Sequence, residues 1–484
     1  MGDAGDLERF FSPRSVAVVG ATPNRSKGGY NLVANLLECF SGPVYPVNPN
    51  YQEILGVKCY ARVSEIPHPP DLAVVFVPAR AVPGVLEDCG RAGVKAVVVE
   101  SGGFAEVGPE GRELEEVCLE VAGRFGMRIW GPNCTGLVNT DPFIFTPFMR
   151  APHVHRRLEP GSLGIIAQSG MLAAGFMLQY VVSGFFKVSK ACAIGNKMDI
   201  DEVEVLEYLK NDPKTRSVVA YLESVERGRE FLRVAGEMRG RKPLVVLKGG
   251  RHPEAAKAAL SHTASLAGAD EVVDGALKQV GAIRVYDFHD LMNLGKAFSL
   301  HPEPFRLSTP EGKGVALITV TGGGGVVTTD LVRDIGLCVS ELESNTLERL
   351  GGLFPEWMPP SNPVDIWPTV ERRGLEAFAD TLEAVLEDER VDGVILLPFA
   401  SRALEAFPFE RIGKLAVESR KAVVSWVFGD VRFFGEYEAR MREYSIPVYT
   451  DLRSSVLALW AYLEFSREAR DRMEGPARGR GLYV

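Results

Sequence analysis

One histidine stands in a stretch of small polar residues, Ser261-His262-Thr263-Ala264-Ser265. A neutral imidazole that no bulky neighbour shields can attack a phosphoryl group and carry it covalently. Such a histidine needs a carboxylate that fixes its tautomer, and Glu223, at the end of an apolar strand, is the best candidate. Composition alone leaves the plainer alternatives open, in which His262 is a solvated polar side chain and Glu223 is a solvated loop charge.

Two glycine-containing turns between a strand and a helix could bind a phosphate. Free backbone N–H groups at a helix N-terminus attract anions. We therefore predict phosphate contacts from Ser169, Gly170, Gly322, Gly323 and Gly324. A serine at such a position is also a common helix cap, and the two roles are compatible.

The loop after the first strand also combines glycines with cationic and hydroxyl side chains. Its candidate binding residues are Gly20, Thr22, Arg25, Ser26 and Lys27. The loop is not GxGxxG, and the second strand ends in Val47-Asn48-Pro49-Asn50 without an acid for a ribose hydroxyl. We therefore expect a phosphorylated nucleotide other than a nicotinamide dinucleotide, with a purely structural tight turn as the alternative.

Two further strand ends could contact a ligand. Val77 and Pro78 follow the third strand, and the turn Gly131-Pro132-Asn133-Cys134-Thr135-Gly136 follows the fifth. The second turn places a thiol and an amide among glycines, which permit close backbone approach. By itself this turn could equally be structural.

The elements that would position these residues are short apolar strands that alternate with helices. This alternation predicts an α/β fold with three consecutive Rossmann- or flavodoxin-like doubly wound domains and mainly parallel sheets. In such sheets, ligands bind beyond the carboxyl ends of the strands. The expected order is domain 1–140, linker 141–160, domain 161–300, linker 301–312, domain 313–474 and tail 475–484.

Composition excludes several classes of protein. The net charge of −9 without a basic block argues against nucleic-acid binding. No run of 18 apolar residues predicts a membrane span, and the acidic N-terminus lacks a signal-peptide core, so we expect a cytoplasmic protein. The seven cysteines form no CxxC pair, which argues against a structural zinc site and a disulfide framework. We predict no metal site on this chain.

Taken together, the motifs resemble the α subunit of ADP-forming (nucleoside-diphosphate-forming) acyl-CoA synthetases, a group that includes acetate–CoA ligase and is related to succinyl-CoA synthetase. The resemblance extends from Ser12 to about Glu464. It rests on the order and spacing of separated motifs: Val18-Val19-Gly20-Ala21-Thr22, Tyr45-Pro46-Val47-Asn48-Pro49, Gly131-Pro132-Asn133-Cys134-Thr135-Gly136, Gln168-Ser169-Gly170, Gly195-Asn196-Lys197, Leu247-Lys248-Gly249-Gly250, Ser261-His262-Thr263 and Asn362-Pro363-Val364-Asp365.

The resemblance implies a role for each domain. The first would bind CoA, through Gly20, Thr22, Arg25, Ser26, Lys27, Val47, Asn48, Pro49, Val77, Pro78, Asn133 and Cys134. The second would carry a phosphohistidine loop with His262 supported by Glu223, and the third would be a ligase-CoA domain. The implied reaction reversibly converts carboxylate, CoA and ATP to acyl-CoA, ADP and phosphate through acyl phosphate and phosphohistidine intermediates. ATP or ADP with Mg²⁺ would bind a separate nucleotide-grasping β subunit, in an assembly such as α2β2. Ala264 stands where the family often has glycine, and the Gly322–Gly325 turn is also a variant form.

Two other hypotheses remain. The chain could be a CoA-sensing or scaffold protein that has lost turnover, which the intact His262 and Glu223 disfavour. It could also be a nicotinamide-dependent oxidoreductase, which the absence of GxGxxG and of the ribose-binding acid disfavours.

Overall fold

The structure is a computed structural model that describes residues 7–170, 175, 186–255 and 270–474. The chain forms two compact units, one with residues up to Met238 and Leu244–Leu291, the other with Arg239–Pro243 and the residues from Met292 onward. Among the helices described, none combines the length and the apolar character needed to cross a bilayer.

The first unit begins with a parallel five-stranded sheet. Its elements are α1 Glu8–Phe11, β1 Val16–Val19, α2 Gly28–Cys39, β2 Val44–Val47, β3 Glu53–Ile54, β4 Val57–Lys58, β5 Leu72–Val75, α3 Val82–Ala92, β6 Ala96–Val99, α4 Pro109–Phe125 and β7 Arg128–Trp130. The sheet order is β2-β1-β5-β6-β7. The chain therefore changes direction across the sheet beside β1, and such a switch point opens a crevice at the carboxyl ends of the strands.

A seven-stranded sheet completes the first unit. Its elements are β8 Leu137–Thr140, β9 Phe143–Phe145, β10 Pro160–Ala167, β11 Val188–Ala193, α5 Glu202–Asn211, β12 Ser217–Leu222, α6 Gly228–Met238, β13 Leu244–Lys248, α7 Asp270–Gln279 and β14 Ile283–Val285. The order is β14-β13-β12-β10-β11-β8-β9. The first five of these strands in that order are parallel, whereas β8 runs antiparallel to β11.

The hairpin of β8 and β9 differs from the predicted domain boundary. The sequence predicts Leu137–Thr140 in the first domain and residues 141–160 in a linker, but both strands belong to the second sheet. The proline in Asp141-Pro142 suggested a loop, and it is in fact the tight turn of the hairpin. The apolar run Phe143–Phe145 supplies the returning strand.

The two sheets of the first unit share one hydrophobic core. A single buried cluster contains Val16 of the first sheet together with Ile166 and Val218 of the second. The indole Nε1 of Trp130 donates to the carbonyl of Ala193 at 2.7 Å, which ties the last strand of the first sheet to the second sheet. The sites on the two sheets are therefore fixed relative to each other.

The second unit contains a third parallel sheet. Its elements are α8 Phe288–Leu300, which starts in the first unit, β15 Gly314–Thr319, α9 Gly322–Asp334, β16 Cys338–Val339, α10 Ser344–Gly351, β17 Val364–Asp365, α11 Trp367–Arg373, α12 Glu376–Glu387, β18 Gly393–Leu397, β19 Phe399–Ala400, α13 Phe409–Ser419, β20 Ala422–Trp426, β21 Phe428–Gly429, α14 Phe434–Arg442, β22 Val448–Tyr449 and α15 Leu452–Glu474. The main order is β16-β15-β18-β20-β22. The predicted fold class, three α/β domains with mainly parallel sheets, is confirmed.

Candidate active site

A cleft of about 510 Å³ opens at the carboxyl edge of the first sheet. It lies where β1, β2, β5 and β6 end, which is the position that the switch-point rule predicts. Its lining consists of Gly20, Thr22, Lys27, Gly29, Asn48, Asn50, Tyr51, Phe76, Val77, Pro78, Ser101 and Gly102.

Two glycines allow the backbone to close this cleft tightly. A Cβ at Gly20 would lie 2.2 Å from the carbonyl oxygen of Phe76, and Gly20 has a φ of +93°. A Cβ at Gly29 would lie 2.2 Å from the carbonyl oxygen of Gly20, so the start of helix α2 packs directly on the loop. The N-cap of α2 is Lys27, whose side chain makes no capping hydrogen bond. The N-terminus of this helix is therefore suited to an anion.

Half of the twelve residues predicted to contact CoA line this cleft: Gly20, Thr22, Lys27, Asn48, Val77 and Pro78. The other six do not. Arg25, Ser26 and Pro49 are exposed outside the lining, Val47 is buried in the sheet, and Asn133 and Cys134 lie in a separate turn. The backbone N–H and the hydroxyl of Ser26 both donate to Oδ1 of Asn24, so this serine stabilises the loop itself.

Six further residues line the cleft and were not predicted from the sequence: Gly29, Asn50, Tyr51, Phe76, Ser101 and Gly102. Ser101 and Gly102 carry a signal that could have revealed them, because they follow β6 just as the other lining residues follow their strands. The hydroxyl of Ser101 accepts a hydrogen bond from the N–H of Val77 at 3.1 Å, which joins two neighbouring strand ends.

The turn from Gly131 to Gly136 lies between this cleft and the second sheet. Cys134 is buried, its Sγ accepts from the N–H of Gly136 at 3.4 Å, and burial raises the pKa of its thiol. A buried protonated thiol with this contact fits a structural role. Nδ2 of Asn133 donates to Oδ1 of Asn196 at 3.2 Å, and the hydroxyl of Thr135 donates to the carbonyl of Gly170 at 2.9 Å.

The predicted phosphate-binding turn follows β10. Ser169 is buried, and a Cβ at Gly170 would lie 3.0 Å from the backbone nitrogen of Thr135, so a side chain there would press on the neighbouring turn. The expected helix that begins after Gly170 lies outside the described residues except for position 175.

Glu223 lies at the predicted sheet edge, directly after β12, and is buried. Oε1 of Gln168 accepts hydrogen bonds from the N–H groups of Glu223 and Ser224, at 2.7 and 3.1 Å. The hydroxyl of Tyr221 donates to Oε1 of Glu223 at 3.1 Å, and Nζ of Lys248 donates to the Glu223 carbonyl at 2.6 Å. The structure thus joins the acid to the Ser169 turn through Gln168.

His262 and its loop, including Ala264, lie outside the described residues. Glu223, the acid predicted to support this histidine, lies at the carboxyl edge of the second sheet.

Gly322, Gly323 and Gly324 occupy the first turn of α9 in the second unit. Thr321 is the N-cap and makes no side-chain capping bond. A Cβ at Gly322 would lie 3.3 Å from Oδ2 of Asp365, and burial raises the pKa of this carboxyl group. The side chain of Thr321 thus leaves the N–H groups of this first turn uncapped, and phosphate binding by the three glycines stays a prediction.

The loop of the Asn362-Pro363-Val364-Asp365 motif is fixed to β15. Nδ2 of Asn362 donates to the carbonyls of Val315 and Ser340 at 2.8 and 2.9 Å, and Oδ1 accepts from the N–H of Leu317 at 3.0 Å. The amide of Asn362 thereby anchors the segment that carries Asp365.

One group of side chains has the spacing of metal ligands. The ligand atoms of Asp287, His289 and Asp290 lie within 4.8 Å of one another. The N–H of Asp290 already donates to Oδ1 of Asp287 at 2.7 Å at the start of α8. Such a contact is typical of helix capping, and it explains why Asp287 stands at this position.

Two family descriptions match consecutive parts of the chain. Residues 14–140 match the "CoA binding domain", and residues 160–298 match the "Succinyl-CoA ligase like flavodoxin domain". The first match contains the cleft, and the second contains the Ser169 turn and Glu223.

Whole-chain relatives have matching names. The chain is 39% identical over 466 residues to acetate–CoA ligase [ADP-forming] II of Archaeoglobus fulgidus, covering 96% of this chain and 67% of the relative. It is 35% identical over 476 residues to the α subunit of acetate–CoA ligase [ADP-forming] I of Pyrococcus furiosus, covering 95% of this chain and 98% of that subunit.

A solved structure agrees with the fold along nearly the whole chain. The dinucleotide forming acetyl-coenzyme A synthetase 1 of Ca. Korarchaeum cryptofilum, in complex with phosphate and ADP, superposes with a TM-score of 0.83 at 32% identity. The match covers 97% of this chain and 99% of the other. The chain therefore belongs to the family of ADP-forming acyl-CoA synthetases, which are acid–thiol ligases.

Proposed function

We propose that this chain is the CoA-binding and phosphohistidine-carrying α subunit of an ADP-forming acyl-CoA synthetase. The observation that carries the proposal is the joining of two sites within one compact unit. The cleft of the first sheet and the Ser169–Glu223 region of the second sheet are connected through the Gly131–Gly136 turn.

In the proposed reaction, Nε2 or Nδ1 of His262 takes the γ-phosphoryl group of ATP, and ADP leaves. A carboxylate oxygen then attacks the phosphorus, so that the N–P bond breaks and an acyl phosphate forms. The CoA sulfur attacks the acyl carbon, and the C–O bond to phosphate breaks. Every step is reversible, and the covalent relay divides one difficult transfer into smaller ones.

The first sheet would supply the CoA site. The ammonium of Lys27 and the open N-terminus of α2 suit the phosphate groups of CoA, and Asn48 and Tyr51 line the same cleft. Because Gly102 lines the cleft close to Asn133, we propose that the thiol end leaves the cleft here, toward the second sheet.

The second sheet would supply the site of phosphoryl transfer between the acyl phosphate and His262, and transfer between ATP and His262 would take place at the nucleotide site of the partner subunit. Glu223 would accept a hydrogen bond from the imidazole of His262 and fix its tautomer. The N–H groups of Ser169 and Gly170 would hold the phosphoryl oxygens. Gly322, Gly323 and Gly324, in the second unit, are proposed separately as phosphate-binding residues. Positioned donors of this kind account for most of the stabilisation in phosphoryl transfer.

We infer that ATP or ADP, together with Mg²⁺, binds a separate nucleotide-grasping β subunit. This inference rests on the relative that is named an α subunit, which the chain matches over 98% of that subunit's length. An α2β2 assembly is one arrangement that would give each copy of this chain such a partner subunit. A small carboxylic acid is the proposed substrate, because the relatives are acetate–CoA ligases.

The test is the overall reaction. The chain, mixed with the nucleotide-grasping subunit, Mg²⁺, ATP, CoA and a panel of short, branched and aromatic acids, should form a thioester and ADP in equal amounts. His262→Ala should bind CoA as the wild type does and form no thioester. Tight CoA binding by a wild type that forms no thioester from any acid would instead favour the alternative, a CoA-binding protein without turnover.

A further inference from the structure

The Gly195-Asn196-Lys197 loop, to which the sequence analysis gave no function, connects the two halves of the proposed site. The N–H groups of Asn196 and Met198 donate to the carbonyls of Pro132 and Gly131, at 3.0 and 2.9 Å. A Cβ at Gly195 would lie 2.0 Å from the carbonyl oxygen of Pro132, so only glycine permits this contact. The loop is therefore packed against the turn that borders the CoA cleft.

On its first side the loop is fixed by the amide of Asn196. Its Oδ1 accepts from Asn133, and its Nδ2 donates to the carboxylates of Glu106 and Glu115, at 2.7 and 3.1 Å. The carboxylate of Glu106 in turn accepts from the N–H of Gly103, next to the cleft residue Gly102. Asn196 thus anchors the loop to the wall of the CoA cleft.

On its other side the loop reaches the Glu223 turn through Lys197. The side chain is 3% exposed and extends from a left-handed backbone position with a φ of +62°. Its Nζ donates to Oε2 of Glu202 at 2.8 Å and to the Ser224 hydroxyl and carbonyl at 3.0 and 3.2 Å. Three acceptors satisfy the three N–H groups of an ammonium. Lys197 is therefore committed to protein contacts and has no N–H left for a substrate phosphate.

Glu202 explains why a cation is held at this point. Its carboxylate is buried, and its Oε1 has no hydrogen-bond partner among the residues that the structure describes. A buried carboxylate without a paired cation is strongly unfavourable. The Lys197–Glu202 pair therefore keeps the ammonium in place against Ser224, whose N–H is also fixed by Gln168.

We propose that Lys197 is a positioning residue for phosphoryl transfer, acting through Ser224 to hold Glu223 at a fixed place relative to the CoA cleft. This inference rests on the proposed function. A displacement of about 1 Å at a reacting group can cost about 10²-fold in rate. Loss of the ammonium would remove two of the hydrogen bonds that hold Ser224 and allow the acid to shift.

The experiment compares two ways of phosphorylating His262. In the first, the chain is given ³²P-phosphate and an acyl-CoA that the wild type accepts. The rate at which His262 acquires label then reports on transfer beside Glu223. Label from γ-³²P-ATP, Mg²⁺ and the partner subunit reports on transfer at the nucleotide site. Lys197→Met should slow labelling from acyl-CoA and phosphate roughly 10- to 100-fold. It should leave the rate of labelling from ATP and the dissociation constant of CoA unchanged.

Two further variants separate positioning from stability. Lys197→Met/Glu202→Gln removes the unpaired buried charge and should recover thermal stability while the slow transfer from acyl-CoA remains. Lys190→Met breaks a second buried pair on β11, with Asp212 at 2.6 Å and away from the Glu223 turn. It should lower stability and leave the ratio of the two labelling rates unchanged.

Three outcomes would overturn the inference. Both Lys197 variants could label at the wild-type rates, or the double variant could recover the wild-type rate of labelling from acyl-CoA. The double variant could also lose labelling from acyl-CoA and labelling from ATP to the same extent. In each, the wild type still acquires label, so the proposed function stands. An unlabelled wild type would instead overturn the proposed function itself.

Discussion

The side-chain oxygen of Gln168 accepts a hydrogen bond from the backbone N–H of Glu223 at 2.7 Å. One residue of the Gln168-Ser169-Gly170 motif thus fixes the acid, while the next two are the residues predicted to bind phosphate. Gln168 is buried, so this contact is shielded from water and is costly to leave unsatisfied.

Replacing Gln168 should therefore impair transfer more than CoA binding. Gln168→Leu leaves the N–H groups of Glu223 and Ser224 without this acceptor, at a cost of about 1–3 kcal/mol for a buried donor. We expect slower labelling of His262 from acyl-CoA and phosphate with an unchanged dissociation constant for CoA. The exposed Gln279→Leu is the matched control. A variant of Gln168 that transfers at the wild-type rate would contradict the assigned contact.

Two neighbouring cations should differ in their effect on CoA binding. Lys27 lines the cleft, whereas Arg25 is exposed outside the lining. Removal of a charge about 4 Å from a phosphate in water costs about 1 kcal/mol, or roughly fivefold in affinity. Calorimetry should show weaker CoA binding for Lys27→Ala, with a difference that shrinks at high salt, and a smaller change for Arg25→Ala. The reverse order would show that the loop is oriented differently in the complex.

The close approach of α2 to the first loop predicts opposite effects of two glycine substitutions. Gly29→Ala would place a Cβ 2.2 Å from a backbone oxygen, so it should lower the melting temperature and weaken CoA binding. Gly84 lies in α3 with no atom within 4 Å of its added Cβ. Gly84→Ala should stabilise the helix by about 0.5–1 kcal/mol. Thermal unfolding of both variants tests the contact, and an unimpaired Gly29→Ala would disprove it.

The carboxyl group of Glu100 should make stability depend on pH. It is buried, has no hydrogen-bond partner among the described residues, and desolvation raises its pKa well above the usual value. The folded protein thus keeps a proton that the unfolded chain releases above about pH 4.3. The contribution of Glu100 to the free energy of unfolding is therefore fully present below that pH. It is lost as the pH rises toward the pKa that this group has in the folded protein.

Glu100→Gln should remove this dependence. The melting temperature of the variant minus that of the wild type should increase between pH 5 and pH 8. Glu113→Gln, at an exposed carboxylate of α4, provides the control for a general effect of charge. A difference for Glu100→Gln that stays constant over this range would show that the group is ionised in the folded protein.

The strand-end rule explains which site residues the sequence could reveal. Gly20, Asn48 and Val77 each follow an apolar strand of a parallel sheet, and the structure brings them to one cleft. Ser101 obeys the same rule and was overlooked because its type suggests no particular chemistry. Arg25 was chosen for its charge, but the direction of a loop side chain depends on local turns such as the Asn24–Ser26 contact.

Contacts between segments that are distant along the chain could not be predicted from the sequence. The contacts of Lys197 with Glu202 and Ser224 join three segments, and no periodicity marks a lysine whose partners are brought close only by the fold. The β8–β9 hairpin was missed for a related reason, since the proline of its turn resembles a linker and the pairing with β11 is antiparallel and non-local.

The most direct test of the account is phosphorylation of His262. The chain is incubated with the nucleotide-grasping subunit, Mg²⁺ and γ-³²P-ATP, and the label on this chain is tested for stability in acid and base. We expect an acid-labile, base-stable label that CoA with a carboxylic acid discharges and that His262→Ala abolishes. A wild type without label, or a His262→Ala variant labelled equally, would contradict it.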